Sequence, residues 1–293
     1  MRKILVGATL LSAALVASLF ATAQNRVTGL NVPVVTPGPG WKACPRCINQ
    51  AHIDDDRAKA EVDTRTFDKH DISGVWGDNG IELDVKTVPP FTPEGQKMFD
   101  ATLTNVPGVN AKDPMNICDP LGFPRAFAYN YGMEFIQIPG RTLQFFEFQH
   151  TYRTIWTDGR KLPDDPPLDR YLGYSVGQWD GDTFRVESSH FDTRSWLSED
   201  RRKRVHGFPH SDQLKTIEEY KRINYGKLDM KLTIIDPKVF TKPWVTEAIE
   251  TLRPNNELSE YFCVPSEETQ FNSFSTLPTA DGAKATTLGP DSK

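Results

Sequence analysis

Four of the chain's six histidines sit among side chains that could do chemistry. The first setting spans Thr142 to Trp156, where Phe146, Phe148, His150, Tyr152 and Trp156 are interleaved with Phe145, Glu147, Gln149, Arg153 and Ile155. Read as one long strand, this stretch mixes aromatic with ionisable groups on both faces. A strand packed on a purely apolar core would not do so, whereas one lining a partly polar cavity would. Asp158-Gly159-Arg160 then sets an opposite-charge pair at its end. The second setting is Glu187, His190, Asp192 and Arg194, just after an Asp-Gly hairpin. The third is His206, His210, Ser211, Asp212 and Glu218. Strand ends near loops are where binding groups are commonly presented.

These residues support three readings. As a binding site, Phe146, Tyr152, Trp156 and Trp179 supply apolar contact to a small aromatic or amphiphilic molecule. His150, Arg153 and His210 fix its polar end, with Arg160, His190 and Glu218 as further contacts. As a secreted enzyme of lyase, isomerase or hydrolase type, His150 and His210 act as acid and base. Arg153 or Arg160 stabilises developing negative charge, and Asp158 joins the catalytic group. As a structural or envelope-associated module, the same polar groups are members of buried networks, or Glu147 and Arg153 face solvent and His150 is a hydrogen-bonded core residue. Either site reading requires His150, His190 and His210 to converge on one pocket.

No cofactor is indicated. His150, His190 and His210 from separate strands, with Glu147 or Glu218, could hold zinc or iron. No H-x-H or H-E-x-x-H spacing points to a metal site, however. His210-Ser211-Asp212 is not a triad, because sequence adjacency does not set up the geometry. Arg201-Arg202-Lys203-Arg204 reads as a solvated loop before it reads as an anion clamp or a processing site.

The elements that must position these groups are strands. Met133 to Ile138, Thr142 to Trp156, Trp244 to Leu252 and Leu258 to Cys263 are rich in β-branched and aromatic residues. Val176 to Glu187 is a hairpin around Asp180-Gly181, a composition that suits a type I′ turn. Lys215 to Ile223 and Leu228 to Ile235 form a second hairpin through Asn224-Tyr225-Gly226, with Leu228, Met230, Leu232 and Ile234 on one face. Thr92 to Thr102 is the one fair helix candidate, with Pro93 in its first turn and Thr92 as cap. Eight or more short strands with almost no helix predict an antiparallel β-barrel or, as the alternative, a β-sandwich. Gly74-Val75-Trp76, a G-x-W of the lipocalin type, tilts the choice to a barrel, and a second G-x-W at Gly177 lies outside any first strand.

An exported chain with four cysteines should hold disulfides. Cys118 and Cys263 stand in similar Cys-x-Pro settings near opposite ends of the core and are predicted to pair. Cys44-Pro45-Arg46-Cys47 lies in a Pro/Gly-rich stretch and predicts a local bridge. The metal and redox readings of that motif lack a helix setting, and haem attachment would need His where Ile48 stands.

Export itself is read from the start of the chain. Arg2 and Lys3 precede an apolar run from Ile4 to Phe20, and Ala21-Thr22-Ala23 is a small-x-small cleavage site. Residues 1–23 are therefore expected to be a signal peptide, 24–69 an extended lead-in, 70–275 a single barrel domain and 276–293 a disordered tail. The expected location is periplasmic or secreted, with no stable membrane insertion after cleavage. The net charge of −5, made more negative by loss of Arg2 and Lys3, gives no electrostatic case for nucleic acid or anionic membranes. The expected partner is a small molecule.

Asp71-Ile72-Ser73-Gly74-Val75-Trp76, Phe135-Ile136-Gln137, Ile155-Trp156-Thr157-Asp158-Gly159-Arg160, Trp179-Asp180-Gly181-Asp182-Thr183, Pro209-His210-Ser211 and Thr241-Lys242-Pro243-Trp244 together resemble a large group of exported bacterial proteins of unknown function. The resemblance covers roughly residues 71–271. It implies a shared fold and transfers no activity, and the Cys44/Cys47 segment is not part of it.

Overall fold

Alternation along paired strands builds the wall of the molecule. Strand β9 (Lys215–Asn224) turns at Asn224-Tyr225-Gly226 into β10 (Lys227–Ile235). In β10 Leu228, Met230, Leu232 and Ile234 are buried, and the residues opposite them are Arg222, Tyr220, Glu218 and Thr216. Both sets therefore point to the interior, since side chains directly across an antiparallel pair share a face. One face of this hairpin is apolar and its mate is polar, although both are buried.

The computed structural model describes residues 50–77, 81, 83, 86–103, 112–129, 131–166, 168–199 and 206–263. The expected signal peptide, the Cys44–Cys47 bridge, the Arg201–Arg204 run and the 276–293 tail lie outside the described residues. The remaining strands are β1 (Gly74–Gly77), β2 (Met133–Ile138), β3 (Arg141–Phe146), β4 (Thr151–Trp156), β5 (Tyr174–Asp180), β6 (Thr183–Ser189), β7 (Trp196–Glu199), β8 (Gly207–Pro209) and β11 (Trp244–Leu252). Nine of the eleven described strands close into a barrel in the order β1-β11-β10-β9-β6-β5-β4-β3-β2, while β7 and β8 form a separate two-stranded sheet. The barrel expectation holds and the sandwich alternative does not. The pairings are antiparallel except β4 with β5, which is parallel and joined through only Ile155↔Ser175 and Trp156↔Val176.

Among the described residues helices are few and peripheral. Helix α1 (Gln50–Glu61) occupies part of the segment expected to be extended, so that expectation is corrected. Its end is locally favoured by the helix formers Ala58, Lys59, Ala60 and Glu61, and tertiary contact fixes it. A Cβ at Gly226 would lie 2.1 Å from the Ala60 carbonyl oxygen, and Asn224 Nδ2 donates to Glu61 O at 3.1 Å. Helix α2 (Pro93–Ala101) follows the sequence reading, with Thr92 Oγ1 accepting from Gly95 N at 2.9 Å.

The single long strand from Thr142 to Trp156 is two strands, β3 and β4, around a turn at 147–150. Gln149 and His150 both take left-handed φ, 59° and 48°. Neither is Gly, Asn or Asp, the residues that mark such turns in sequence, which is why the break was not legible. The mixed faces follow from this reversal: Phe146, Arg153 and Ile155 are buried, whereas Tyr152 is 59% exposed. Leu258 to Cys263 is likewise not a strand, and contributes one bridge, Phe148↔Tyr261. The β5–β6 hairpin is present but its loop is Gly181-Asp182. Only Gly181 has positive φ, the pattern of a type II′ turn.

One mouth of the barrel is filled by residues 112–129. Asp113 caps a 3₁₀ turn (Pro114–Ile117) by accepting from Met115 N at 3.0 Å, and it pairs with Arg125 in the short helix α3 (Arg125–Ala128) at 2.6 and 2.5 Å. Both partners are buried. The predicted Cys118–Cys263 disulfide is present and ties this plug to the chain beyond β11. Phe123 and Phe127 enter the core, Phe127 edge-on to Tyr220 at 6.1 Å.

Candidate functional site

Beneath the plug, the inward residues of five strands meet in a buried polar network. Arg153 from β4 donates through Nε to Gln144 Oε1 of β3 at 2.8 Å and through Nη1 to Glu218 Oε1 of β9 at 3.1 Å. Its Nη2 donates to Glu218 Oε2, which also accepts from Tyr220 Oη at 2.6 Å. Ser188 of β6 donates to Ser175 Oγ of β5 at 2.8 Å and lies 3.5 Å from Glu218 Oε1. The plug's Phe123 closes the network from above, its ring centroid 3.9 Å from the Arg153 guanidinium carbon. The Glu218 carboxylate holds the Arg153 guanidinium above its ordinary range against a desolvation that acts the other way, and burial raises the Tyr220 phenol well above 10. A buried pair this well satisfied is costly to break: removing one partner typically costs about 3–5 kcal/mol. Its side chains occupy the barrel interior where the sequence reading placed a ligand.

The three histidines do not converge. His210 is buried against Ser195 and Ser211: its Nδ1 lies 3.0 Å from the Ser211 carbonyl and its Nε2 3.0 Å from Ser195 Oγ. A carbonyl only accepts, so Nδ1 carries the hydrogen, while the Ser195 hydroxyl has both Nε2 and the Asp192 carbonyl oxygen, at 3.1 Å, within reach. His190 follows β6 on the outer wall, and His150 is exposed at the β3–β4 turn, its ring 5.3 Å from Phe262. The joint His150/His190/His210 site, with or without metal, is therefore not assembled. Among the described residues no three His, Cys, Asp or Glu side chains come together as a metal site.

Other candidates are scattered in the same way. Phe146 is buried, its ring 6.4 Å from Phe123. Trp156 carries the Arg160 guanidinium over its ring at 3.7 Å, and Arg160 is held by Asp158 at 2.6 Å and by Tyr174 Oη at 3.0 Å. The Asp158 carboxyl is lowered from its usual range by the Arg160 hydrogen bond. These groups form an exposed surface clasp away from His150. Trp179 stacks on His70 at 4.5 Å, and His70 Nε2 is 2.8 Å from the Gly181 carbonyl, so the β5–β6 tip is clamped by the segment before β1. Glu218 belongs to the interior network.

Three of the predicted residues do share a concavity. Where β4 and β5 diverge beyond their two paired residues, a cleft of about 540 Å³ opens, lined by His150, Tyr152 and Arg153 on β4's side and by Arg170, Tyr171 and Leu172 on the other. Pro120 of the plug, with Thr151, Thr154 and Gly173, completes the lining. The turn that carries His150 is anchored to the plug: Gln149 Oε1 accepts from Leu121 N at 2.7 Å and its Nε2 donates to Asp119 O at 3.0 Å. Every ionisable lining residue is basic or a phenol, and no carboxylate side chain lines the cleft. Desolvation raises the Tyr171 phenol, which keeps it a hydrogen-bond donor. Arg170, Tyr171 and Leu172 were missed in the sequence because they lie in an irregular connection with no periodicity to flag them.

The motifs that carry the resemblance fall on separate parts of this frame. Asp158-Gly159-Arg160 follows β4, Trp179 to Thr183 is the β5–β6 tip, Pro209 closes β8 with His210-Ser211 after it, and Trp244 opens β11. No helix among the described residues is long and apolar enough to cross a membrane. Comparison of the chain with protein-family models, with curated proteins and with solved structures finds no match to any of them.

Proposed function

We propose that the protein binds a small aromatic or amphiphilic molecule bearing an anionic group, in the cleft at the β4–β5 divergence. The observation that carries this reading is the lining of that cleft. It has aromatic and aliphatic walls from Tyr152, Tyr171 and Leu172, with His150, Arg153 and Arg170 and no carboxylate residue in its lining. A volume of about 540 Å³ is in the range of small-molecule sites. Arg153 is already neutralised by Glu218, so Arg170 and His150 are the groups available to the ligand's charge. Arg170 offers the planar fork that suits a carboxylate. The disulfide, the expected signal peptide and the exported proteins that the motifs resemble support a periplasmic or secreted setting, where the ligand would be met.

The test is a thermal-shift screen of aromatic and aliphatic carboxylates against the mature protein, because a ligand held only by the folded state raises its apparent stability. Binders are expected among these acids, with affinity reduced about tenfold by Arg170→Ala, as for loss of one charge-assisted contact, and less by His150→Ala. Carboxylates that shift neither the parent nor these variants, or bind all three equally, would remove this cleft as the site.

A further inference from the structure

A second cleft, of about 490 Å³, lies on the outer wall and is lined by Ser189, His190, Asp164, Leu162, Leu214 and Lys215 among others. Successive side chains of a strand point to opposite sides, so Ser189 and His190 at the end of β6 should diverge. They do not, because His190 takes a left-handed φ of 58°. Its imidazole swings back beside Ser189, placing Nδ1 2.9 Å from Ser189 Oγ. The other nitrogen, Nε2, lies 3.2 Å from the Asp164 carbonyl oxygen. That oxygen can only accept, so Nε2 carries the hydrogen, and Nδ1 is left as the acceptor of the Ser189 hydroxyl proton.

A serine, a base within hydrogen-bond reach of it, and a third group that orients the base are the parts of an activated nucleophile. The molecule contains a second pair of this kind, Ser195 with His210 at 3.0 Å, buried as Ser189 is, but its hydroxyl also reaches the Asp192 carbonyl at 3.1 Å and the pair lines neither of the two clefts. Ser189 and His190 line one. A left-handed histidine, where glycine would sit without strain, is also the kind of local outlier that clusters at functional sites.

From this geometry we propose that Ser189 and His190 are the nucleophile and general base of a carboxylic-ester hydrolase site, independent of the β4–β5 cleft. Ser189 Oγ forms a bond to the ester carbonyl carbon as its proton passes to His190 Nδ1. The bond from that carbon to the alcohol oxygen then breaks, and the alcohol leaves with the proton held by His190. Water attacks the acyl-Ser189 carbonyl and gives a proton to Nδ1. Ser189 Oγ departs and recovers that proton, releasing the carboxylic acid. Leu162, Pro163 and Leu214 shape an acyl site for a short apolar chain, and Lys215 is the lining cation available to the developing oxyanion. Esters are the class such a two-residue device turns over, since an alkoxide leaves more readily than the amine of an amide.

The experiment uses the mature chain with p-nitrophenyl acetate and, separately, a fluorophosphonate probe followed by peptide mass analysis. Hydrolysis above the buffer rate is expected, with at least a hundredfold loss in Ser189→Ala and in His190→Gly and no loss in Ser195→Ala. The adduct is expected on Ser189. His190→Gly is the decisive variant: glycine accepts the positive φ, so its melting temperature should equal or exceed the parent's while activity is lost. Absence of turnover and adduct in the parent, an adduct on Ser195, or activity that survives in His190→Gly would each overturn the proposal.

Discussion

At the scale of single residues, the molecule buries ionisable groups where hydrocarbon would be simpler, and three of them are matched by polar partners. Arg153 has Glu218 and Gln144, Tyr220 has Glu218, and His210 has Ser195 and the Ser211 carbonyl. His210 has a consequence for pH. Burial lowers its imidazole from the ordinary value of 6.5, so the folded chain resists a proton that the unfolded chain accepts. Between the folded and unfolded values the unfolded state binds more protons, and stability therefore rises with pH in that window. The contribution is complete above about pH 6.5 and is lost as pH falls below it, by at most about 1.4 kcal/mol per pH unit. Urea midpoints measured at pH 7.5 and 5.0 should fall more for the parent than for His210→Asn. Equal falls in the two proteins would show that His210 does not carry the effect.

The element scale is where the sequence was most and least informative. The second hairpin could be read fully: Asn224-Tyr225-Gly226 sets the reversal and Leu228 to Ile234 sets the buried face. Counting back across that turn would also have placed Thr216, Glu218, Tyr220 and Arg222 inside, so the buried polar ladder was legible in principle. It was missed because β9 has no apolar face of its own to announce which side is in. The β3–β4 reversal was not legible. Phe148-Gln149-His150 lacks turn residues, and its conformation is imposed by the plug through the bonds from Gln149 to Leu121 and Asp119. The same locality explains the cleft, of which His150, Tyr152 and Arg153 were anticipated and Arg170 to Leu172 were not. Because β4 meets β5 through two residues only, the amides of Thr151–Thr154 that point away from β3 lack a ladder partner. Hydrogen exchange should find them unprotected, while β9–β10 amides exchange only near the global unfolding limit. Protection of those β4 amides comparable to β10 would mean the divergence is closed in solution.

For the molecule as a whole, the plug and its disulfide link regions far apart in the chain. Cys118 and Cys263 are 145 residues apart, and closing a loop of that length is worth about 5 kcal/mol in the chain-entropy model. The double substitution Cys118→Ala/Cys263→Ala should therefore lower the melting temperature by many degrees, and reductant should do the same to the parent and nothing to the variant. A parent insensitive to reductant would show that the bridge does not hold the fold. Loss of the bridge also frees the plug that carries Pro120 into the β4–β5 cleft, so ligand affinity should fall with it.

The divergence between β4 and β5 has a cause that no local substitution could remove. In a closed ring of strands that alternate in direction, an even number closes without conflict. An odd number leaves one pair running the same way, and nine is odd. Parity therefore obliges this barrel to contain a parallel junction, and a parallel junction cannot be spanned by a tight turn. The chain must instead leave β4, travel along the outside and re-enter at β5. That excursion supplies Arg170 to Leu172 to one cleft and Leu162 to Asp164 to the other. Both candidate sites thus exist because of how many strands the barrel counts, and adding or deleting one strand would erase the detour that walls them.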